Sequence, residues 1–541
     1  MAFPEFTPTV PVFIRTLEER HGAKTLIALG DQRISYAEAS RRSARLARGL
    51  LARGAGKGTR IAILMPNGPD WVVAWLAVAR IGAIAVPLNT FFQTRELAWI
   101  LRHADIDTLL TVSGFLGHDY LERLEAAAPG LADSNGGPLH IAALPYLRSV
   151  WVWGKCDRAW AASGEKLTES AGDTPEVDDA FLAAVEDSVM PSDPMLILYS
   201  SGSTADPKGA VHSHGTVIRH SFNLVNQRDV HAADVIWSPM PFFWVGGLVF
   251  SFLGGMHKGA TMVVEEAFEP EQTLRFLERE GVTIAAGWPH FGKALADHPS
   301  RKDRDLSALR SGNLPGVLPE EIVPSDPERR PNALGMTETC GPHTWGPDGV
   351  LPDALRGSFG SAVAGVEHRV VDPESGEAVA PGEFGEICVR GYSLMQGLYK
   401  QERESVFDPD GFYRTGDGGY FDADGVLYFK GRLGDMIKTA GANVTPSEVE
   451  AVLASFPEVK QAYVVGVPDP ERGQNVAASV LLEPGAQADP EELRSRIKGE
   501  LSAYKVPRHL FIDEDRSLPF TDTGKIDKRR LEQLLAKRIA G

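Results

Sequence analysis

MLILYSSGSTADPKGAVHSH, residues 195–214, joins an apolar, strand-like run ending at Tyr199 to a turn of Ser200, Ser201, Gly202, Ser203 and Thr204. Ala205-Asp206 and then Pro207-Lys208-Gly209 follow. Small hydroxyl residues and a glycine leave backbone amides open and supply hydroxyls that can wrap phosphate oxygens, and Lys208 adds positive charge. The spacing from Gly202 to Lys208 matches G-x-x-x-x-G-K-[ST], but Pro207 stands where the second glycine is needed. Gly209 follows where Ser or Thr would hold Mg2+. The stretch is not that P-loop; taken alone it reads either as another phosphate-binding turn or as a polar surface turn.

The rest of the chain sets the frame for this loop. At 541 residues it predicts two or three domains, and 43% hydrophobic with 23% charged residues is the balance of a globular protein. A formal charge of −17 argues against a general nucleic-acid surface, so an anionic substrate must be caught by local groups. Cys156, Cys340 and Cys388 lack metal-ligand spacing and predict neither a disulfide framework nor a zinc site, in keeping with a reducing cytoplasm. His212-x-His214 lacks further ligands at suitable spacing. The N-terminus shows no basic segment followed by an apolar core, so no signal peptide is expected. Residues 235–256 carry no charge over a spanning length, but Pro239, Pro241 and two Gly-Gly pairs predict a buried strand, a loop and a buried helix start. No transmembrane segment is expected.

TLIALGDQRISYAEASRRSARLARGLLARG predicts a hairpin and a helix, with Ser35 and Glu38 as a capping box. RIAILMPN, AIAVPLN, TLLTV, VWVWG and MLILYS alternate with helical patterns, predicting a largely parallel, helix-covered sheet. The character changes near residue 430. Gly431 and Gly434 punctuate a short hairpin, Thr445 is placed to cap a helix beginning at Pro446, and two strands and another helix follow. The expected fold is α/β: a large N-terminal domain of helix-covered sheets over 1–431 and a small α+β C-terminal domain over 432–541.

SSGSTADPKG resembles the phosphate loop of the adenylate-forming superfamily, which includes acyl-CoA synthetases, nonribosomal adenylation domains and beetle luciferases. LGMTET (334–339), GEICVRG (385–391), YRTGD (413–417), GRLGDMIKTAGANVTPSEVE (431–450) and PFTDTGKIDKRRL (519–531) match in the family's order. With PNGPDWVVAWLAVARIGAIAVPLN upstream, the resemblance spans nearly the whole chain. It implies that ATP phosphates meet Ser200, Ser201, Gly202, Ser203, Thr204 and Lys208, with Thr337 near the α-phosphate. Glu338 and Thr204 would hold Mg2+, a hard cation that prefers oxygen ligands. Asp417 can accept both ribose hydroxyls, and Arg432 resembles the arginine that reaches ribose and phosphates. Lys525, in a basic stretch that alone would read as solvated surface, resembles the lysine that offsets charge between carboxylate and α-phosphate. Gly441 would line the coenzyme A path, with Lys438 reaching the site on that face, and Gly434 would be the hinge of a mobile lid.

Several positions depart from the family pattern. Ala205 replaces a habitual glycine, and Leu334 replaces the tyrosine that stacks on adenine, keeping an apolar platform without aromatic stacking. Asn332 is placed to meet the adenine amino group, and Gly316 is the counterpart of the opposite adenine wall. Gly434 supplies backbone freedom but no side chain. PFFWVGG (241–247) puts Trp244 at a position that is histidine in many acyl-CoA ligases, with core packing as the other reading. Gly246, Trp288, Gly335 and Met336 complete the expected acyl pocket, with His290 as a further wall or a structural histidine. No aspartate lies between Val235 and Met256 to pair a substrate ammonium, which predicts a largely apolar acid.

The expected activity is that of an acyl-CoA synthetase: a carboxylic acid and ATP give acyl-AMP and pyrophosphate, then coenzyme A takes the acyl group and AMP leaves. The alternatives are an adenylating enzyme that loads a separate carrier protein, or a relative that binds nucleotide without catalysis. The expected partners are small molecules, with no nucleic acid; a homodimer is compatible with the sequence.

Overall fold

The computed structural model describes residues 3–169, 174–200, 207–347, 349–439, 442–470, 472–501, 505–521 and 524–540. Ser201, Gly202, Ser203, Thr204, Ala205, Asp206 and Gly441, together with the side chain of His290, lie outside the described residues. By packing, the chain divides into one unit of residues 1–367 and 389–413 and another of 368–388 and 414–541. This division falls upstream of the expected 431/432 boundary. The strands Tyr413–Phe421 and Leu427–Arg432 pair with each other, in one sheet with Val366–Val371 and Gly385–Gly391.

The first unit holds an eight-stranded sheet in the order Gly397–Leu398, Lys208–Ser213, Pro194–Ser200, Ile84–Pro87, Arg60–Leu64, Thr108–Val112, Ser149–Trp153, Ala162–Ser163. From Pro194–Ser200 to Ala162–Ser163 the pairing is parallel, as the alternation of strand and helix patterns predicts. The helix Pro69–Arg80 is buried on all sides, with Pro69 at its first turn and Asp70 facing the positive end of its dipole. Its Trp71 and Trp75 are fully buried, and burial of such large side chains is a principal stabilising term. Arg80 at the other end is also buried, its Nε 2.5 Å from Glu186 Oε1, and its Nη1 donates to the Ser40 carbonyl at 2.9 Å.

One arm of the sheet breaks the parallel rule. Pro194–Ser200 and Lys208–Ser213 run antiparallel, and Gly397–Leu398 pairs antiparallel with the second of them. The connection over 201–207 is too short for a crossover, which needs a dozen or more residues.

A six-stranded sheet runs Ser311–Gly312, Ile284–Ala285, Val235–Trp237, Thr261–Val264, Thr25–Leu29, Gln32–Ser35, the last two being the expected hairpin. The uncharged 235–256 stretch forms the strand Val235–Trp237, a loop, and a π-helix Gly246–Leu253 that continues into the helix Gly254–Lys258. Among the described residues no helix is long and apolar enough to cross a membrane.

Two capping expectations need correction. Ser35 Oγ accepts the Glu38 amide at 3.1 Å, but the Glu38 carboxylate pairs with Arg41 instead of closing the box. Thr445 sits at the N-cap of the helix Pro446–Ala454 without a side-chain cap; its hydroxyl donates to Met436 Sδ at 3.6 Å.

The second unit also contains a five-stranded sheet built on the long antiparallel pair Val459–Asp469 and Gly473–Leu482, extended by His509–Asp513, Ile437–Thr439 and Ala442–Val444. Helices Pro446–Ala454 and Pro490–Glu500 accompany it, the α+β unit that the sequence predicts.

Candidate active site

Ser200 and Lys208 are register partners at the open end of the antiparallel stem, so the loop between them leaves from two paired strands. Tyr199 pairs with Gly209 one step down. A Cβ on Gly209 would come within 3.0 Å of the Tyr199 ring and 2.8 Å of Ile197 Cγ2, so only glycine lets that ring lie across the stem. The Tyr199 hydroxyl in turn meets His103 Nδ1 at 2.8 Å.

Thr337 and Glu338 lie in the turn between the paired two-residue strands Gly335–Met336 and Gly341–Pro342. Thr339 Oγ1 braces this turn, donating to the Gly341 carbonyl at 2.7 Å and accepting the Met336 amide at 3.2 Å. Glu338 is buried, and Ser200 Oγ donates to its Oε1 at 3.4 Å. Sequence positions 138 residues apart thus meet, bringing the base of the phosphate loop to the expected metal carboxylate. A buried carboxylate beside a hydroxyl is an all-oxygen donor set, which suits Mg2+.

Two groups with no expected role hold the turn in place. The Met395 amide donates to the Glu338 carbonyl at 2.8 Å, and His212 Nε2 lies 2.8 Å from the Thr337 carbonyl. Because a carbonyl oxygen only accepts, this ring nitrogen donates. Burial pushes the His212 imidazole down to about 4, against the opposing pull of the Thr337 hydrogen bond. The Gln396 amide donates to the Val211 carbonyl at 2.7 Å and the Tyr399 amide to the Gly209 carbonyl at 2.8 Å. A two-residue strand such as Gly397–Leu398 is too short for any periodicity to mark it.

The expected adenine contacts sit on the approach to this turn. Leu334 is largely buried, with its amide donating to Thr344 Oγ1 at 3.0 Å and its carbonyl accepting from His343 at 2.8 Å. Asn332 Nδ2 donates to the Arg330 carbonyl at 3.2 Å. Gly316 has φ +75°, and a Cβ there would meet that of Ala296 at 2.8 Å. Gly335 has no room for a side chain, since a Cβ would lie 2.5 Å from the Pro342 nitrogen.

The expected acyl-pocket aromatics come together. Trp244 and Trp288 meet edge to face with ring centroids 5.4 Å apart, Phe243 lies 5.0 Å from Trp244, and Phe291 stacks 5.7 Å from Trp288. The row continues through Phe268 to Trp237, whose indole Nε1 donates to Glu265 at 2.9 Å. Burial pushes the Glu265 carboxyl up to about 7. Gly246 opens the π-helix, and a Cβ there would stand 3.2 Å from Met240 Sδ. Met336 is half-buried directly before the Thr337–Glu338 turn.

Within the second unit, Asp417 is buried and in register with Arg432, whose Nε lies 2.9 Å from Asp417 Oδ1. Arg432 Nη1 also donates to the Thr415 carbonyl at 2.9 Å. The Thr415 hydroxyl donates to the Ile387 carbonyl at 2.6 Å and accepts the Asp417 amide at 3.0 Å, which fixes the carboxylate's strand. Glu386 accepts the Gly416 amide at 3.0 Å and Arg414 Nε at 2.6 Å, and that carboxylate raises the pKa of Arg414.

Gly434 lies in a 3-10 turn, Leu433–Asp435, with nothing within 4 Å of a Cβ placed there. Lys438 is exposed, 3.6 Å from Glu374. Lys525 is exposed at the end of a closed turn: its amide donates to Thr521 Oγ1 at 3.2 Å, and its carbonyl accepts the Thr521 amide at 2.7 Å.

Known proteins resemble this chain along nearly its whole length. The AMP-binding enzyme family matches residues 14–399, and the AMP-binding enzyme C-terminal domain matches residues 448–525. The chain is 33% identical to a feruloyl-CoA synthase of Amycolatopsis sp. over 516 residues, covering 93% of this chain and 94% of that protein. It is 31% identical to an indoleacetate–CoA ligase of Aromatoleum aromaticum over 527 residues, covering 95% and 96%. ATP-bound MatB from Rhodopseudomonas palustris superposes with a TM-score of 0.80 at 26% identity, covering 98% of this chain and 99% of MatB. Such likeness along nearly the full length of each protein means that the chain belongs to the family of AMP-binding enzymes, as an acid–CoA ligase that uses ATP, Mg2+ and coenzyme A and releases AMP.

Proposed function

We propose that this ligase activates a largely apolar carboxylic acid seated against the Trp244–Trp288 pair. The observation that carries the reading is this edge-to-face pair, flanked by Phe243 and Phe291, with Phe243 and Trp244 in a stretch that has no charged residue from Val235 to Met256. Apolar walls recognise apolar chains and leave a substrate ammonium unpaired. Relatives named for feruloyl and indoleacetate support it.

In the first half-reaction a carboxylate oxygen attacks the α-phosphorus of ATP, and the bond to the β-phosphate oxygen breaks to release pyrophosphate. Ser200 and Lys208, with the loop residues between them, hold the outgoing phosphates. The Thr337 hydroxyl meets the α-phosphate, and Glu338 (with Thr204) would hold Mg2+, which when bound neutralises phosphate charge. Asn332, Leu334 and Gly316 bound the adenine, while Asp417 and Arg432 meet the ribose. Lys525 offsets the charge that gathers between carboxylate and phosphate.

The C-terminal region beyond residues 432–434 then turns about them, withdrawing Lys525 and presenting Gly441 and Lys438. The coenzyme A thiol, losing its proton, attacks the acyl carbon, and AMP departs. No protein nucleophile is required; catalysis is positioning and charge stabilisation. A cytoplasmic location and a homodimeric state accompany this reading, checked by cell fractionation and light scattering.

A panel of fatty, aromatic, alicyclic and amino acids with ATP and coenzyme A, read by AMP formation and thioester mass, tests the acid class. Turnover confined to apolar acids is expected, with Trp244→Ala raising the KM for the best acid about tenfold or more. Preference for amino acids or short dicarboxylates would overturn the assignment.

A further inference from the structure

The strand Lys208–Ser213 carries two groups of opposite visibility in the sequence. Lys208 sits beside a glycine-rich turn, whereas His212 lies four residues on in an apolar setting. In a strand, side chains at i, i+2 and i+4 share a face. Ser200 is the register partner of Lys208, and Leu196 is that of His212, so one face of this stem carries Ser200, Lys208 and His212. The same face reaches the Thr337–Glu338 turn at two points: Ser200 Oγ to Glu338 Oε1 at 3.4 Å, and His212 Nε2 to the Thr337 carbonyl at 2.8 Å.

We infer that His212 is a positioning residue for adenylation, holding the Thr337 backbone so that the Thr337 hydroxyl and Glu338 carboxylate keep a set distance from the phosphate-loop stem. The inference rests on the roles proposed above for Thr337 and Glu338.

The energetics of the site favour a purpose beyond packing. His212 is fully buried, and its Nδ1 has no hydrogen-bond partner among the described residues. A buried polar atom without a partner is a net cost that an apolar side chain of similar size would not carry. The imidazole therefore stabilises this spot through its one bond, to the Thr337 carbonyl. The other end of the turn is held independently: His220 Nε2 lies 3.0 Å from the Pro342 carbonyl, and the Met395 amide reaches the Glu338 carbonyl. Without His212, among the described residues the Thr337 carbonyl keeps only the Cys340 amide, a bond internal to the turn at 3.1 Å. The turn would remain formed, but its register on the stem would loosen.

The experiment compares His212→Leu, His212→Asn and His212→Gln in the full chain. Acid-dependent pyrophosphate release reads adenylation; conversion of supplied acyl-AMP of the best acid with coenzyme A reads the second half-reaction. His212→Leu and His212→Asn should lower adenylation kcat/KM for ATP about ten- to a hundredfold, the range of one lost buried hydrogen bond. Thioester formation from supplied acyl-AMP should stay within about threefold. The longer Gln amide can reach the same carbonyl, and His212→Gln should recover most of the adenylation rate. Should His212→Leu fail to fold, the polar Asn and Gln pair carries the comparison. Wild-type adenylation in His212→Asn, equal losses in Asn and Gln, or parallel losses in both half-reactions would overturn the inference. Thr337→Val is measured alongside. Normal adenylation in that variant defeats the proposed role of the turn itself, whereas its impairment beside a normal His212→Asn defeats only the role of His212.

Discussion

At the scale of single residues, chemistry is concentrated in a few side chains whose environments differ sharply. Glu338 and Asp417 are buried carboxylates, the first held at its carbonyl by the Met395 amide and the second at its amide by Thr415 Oγ1, whereas Lys525 and Lys438 are exposed. A cation that acts in only one half-reaction gains from such freedom. Lys525→Ala should cut acid-dependent pyrophosphate release about a hundredfold or more while still converting supplied acyl-AMP with coenzyme A. Equal losses in the two assays would contradict its assignment. Removing the carboxylate charge at Asp417 also strips Arg432 of its partner at 2.9 Å. Asp417→Asn is expected to raise the KM for ATP about tenfold with a smaller change in the KM for the acid, and steady-state kinetics at saturating acid measures this split. These residues were marked in the sequence by its resemblance to the adenylate-forming superfamily, since Lys525 taken alone reads as solvated surface. His212 was not: an H-x-H pattern points to metal, and nothing local reveals a carbonyl 125 residues away.

At the scale of elements, the antiparallel stem sets Ser200 and Lys208 side by side as register partners. Gly209 is the tight point, because a Cβ there would press on Ile197 and the Tyr199 ring. Gly209→Ala should displace Tyr199, raise the KM for ATP several-fold and destabilise the stem by about 1–3 kcal/mol, the usual cost of overpacking. An unchanged thermal midpoint together with unchanged ATP kinetics would show that the stem tolerates the methyl group. Similar crowding explains the π-helix Gly246–Leu253. A Cβ on Gly247 would fall 2.1 Å from the Pro241 carbonyl oxygen, so the helix begins directly against the aromatic segment that precedes it. The sequence showed a strand, a break and a helix start here. The π turn was hidden, because its hydrogen-bond period is selected by packing against neighbouring chain rather than by the helix's own residues.

At the scale of the whole molecule, the first unit buries His212, His214, His220 and His257, and burial lowers their pKa values to about 4, 3, 4 and 3. In the unfolded chain they titrate near 6.5. Between pH 4 and 6.5 the unfolded state therefore binds protons that the folded state does not. Stability rises with pH through that window and falls as pH drops below 6.5, by on the order of 1 kcal/mol per histidine per pH unit. The thermal midpoint of the full chain should fall steeply from pH 7 to pH 5, and His257→Gln should flatten the slope. A midpoint constant over that range would refute the linkage. The mechanism proposed above makes a second demand at this scale, a change of arrangement about residues 432–434. Gly434→Pro should preserve pyrophosphate release and slow thioester formation tenfold or more, as expected of a stiffened hinge. Equal rates in both half-reactions would place the pivot elsewhere.

The amino-acid sequence by itself determined the family, the parallel heart of the larger sheet and the α+β character of the C-terminal region. Each leaves a trace along the chain: motifs in a family's order, apolar runs of strand length, strand patterns alternating with helical ones. Only the tertiary structure decided that Ser200 and Lys208 end an antiparallel arm, that Ser200 meets Glu338, and that His212 and Met395 hold the turn between them. It also gathered Trp244, Trp288 and Phe291 into one aromatic row. The physical reason is range. Hydrogen-bonding geometry and hydrophobic period act over a few residues and leave a local trace, whereas contacts between distant segments are selected by the packing of a shared core, which no single stretch records.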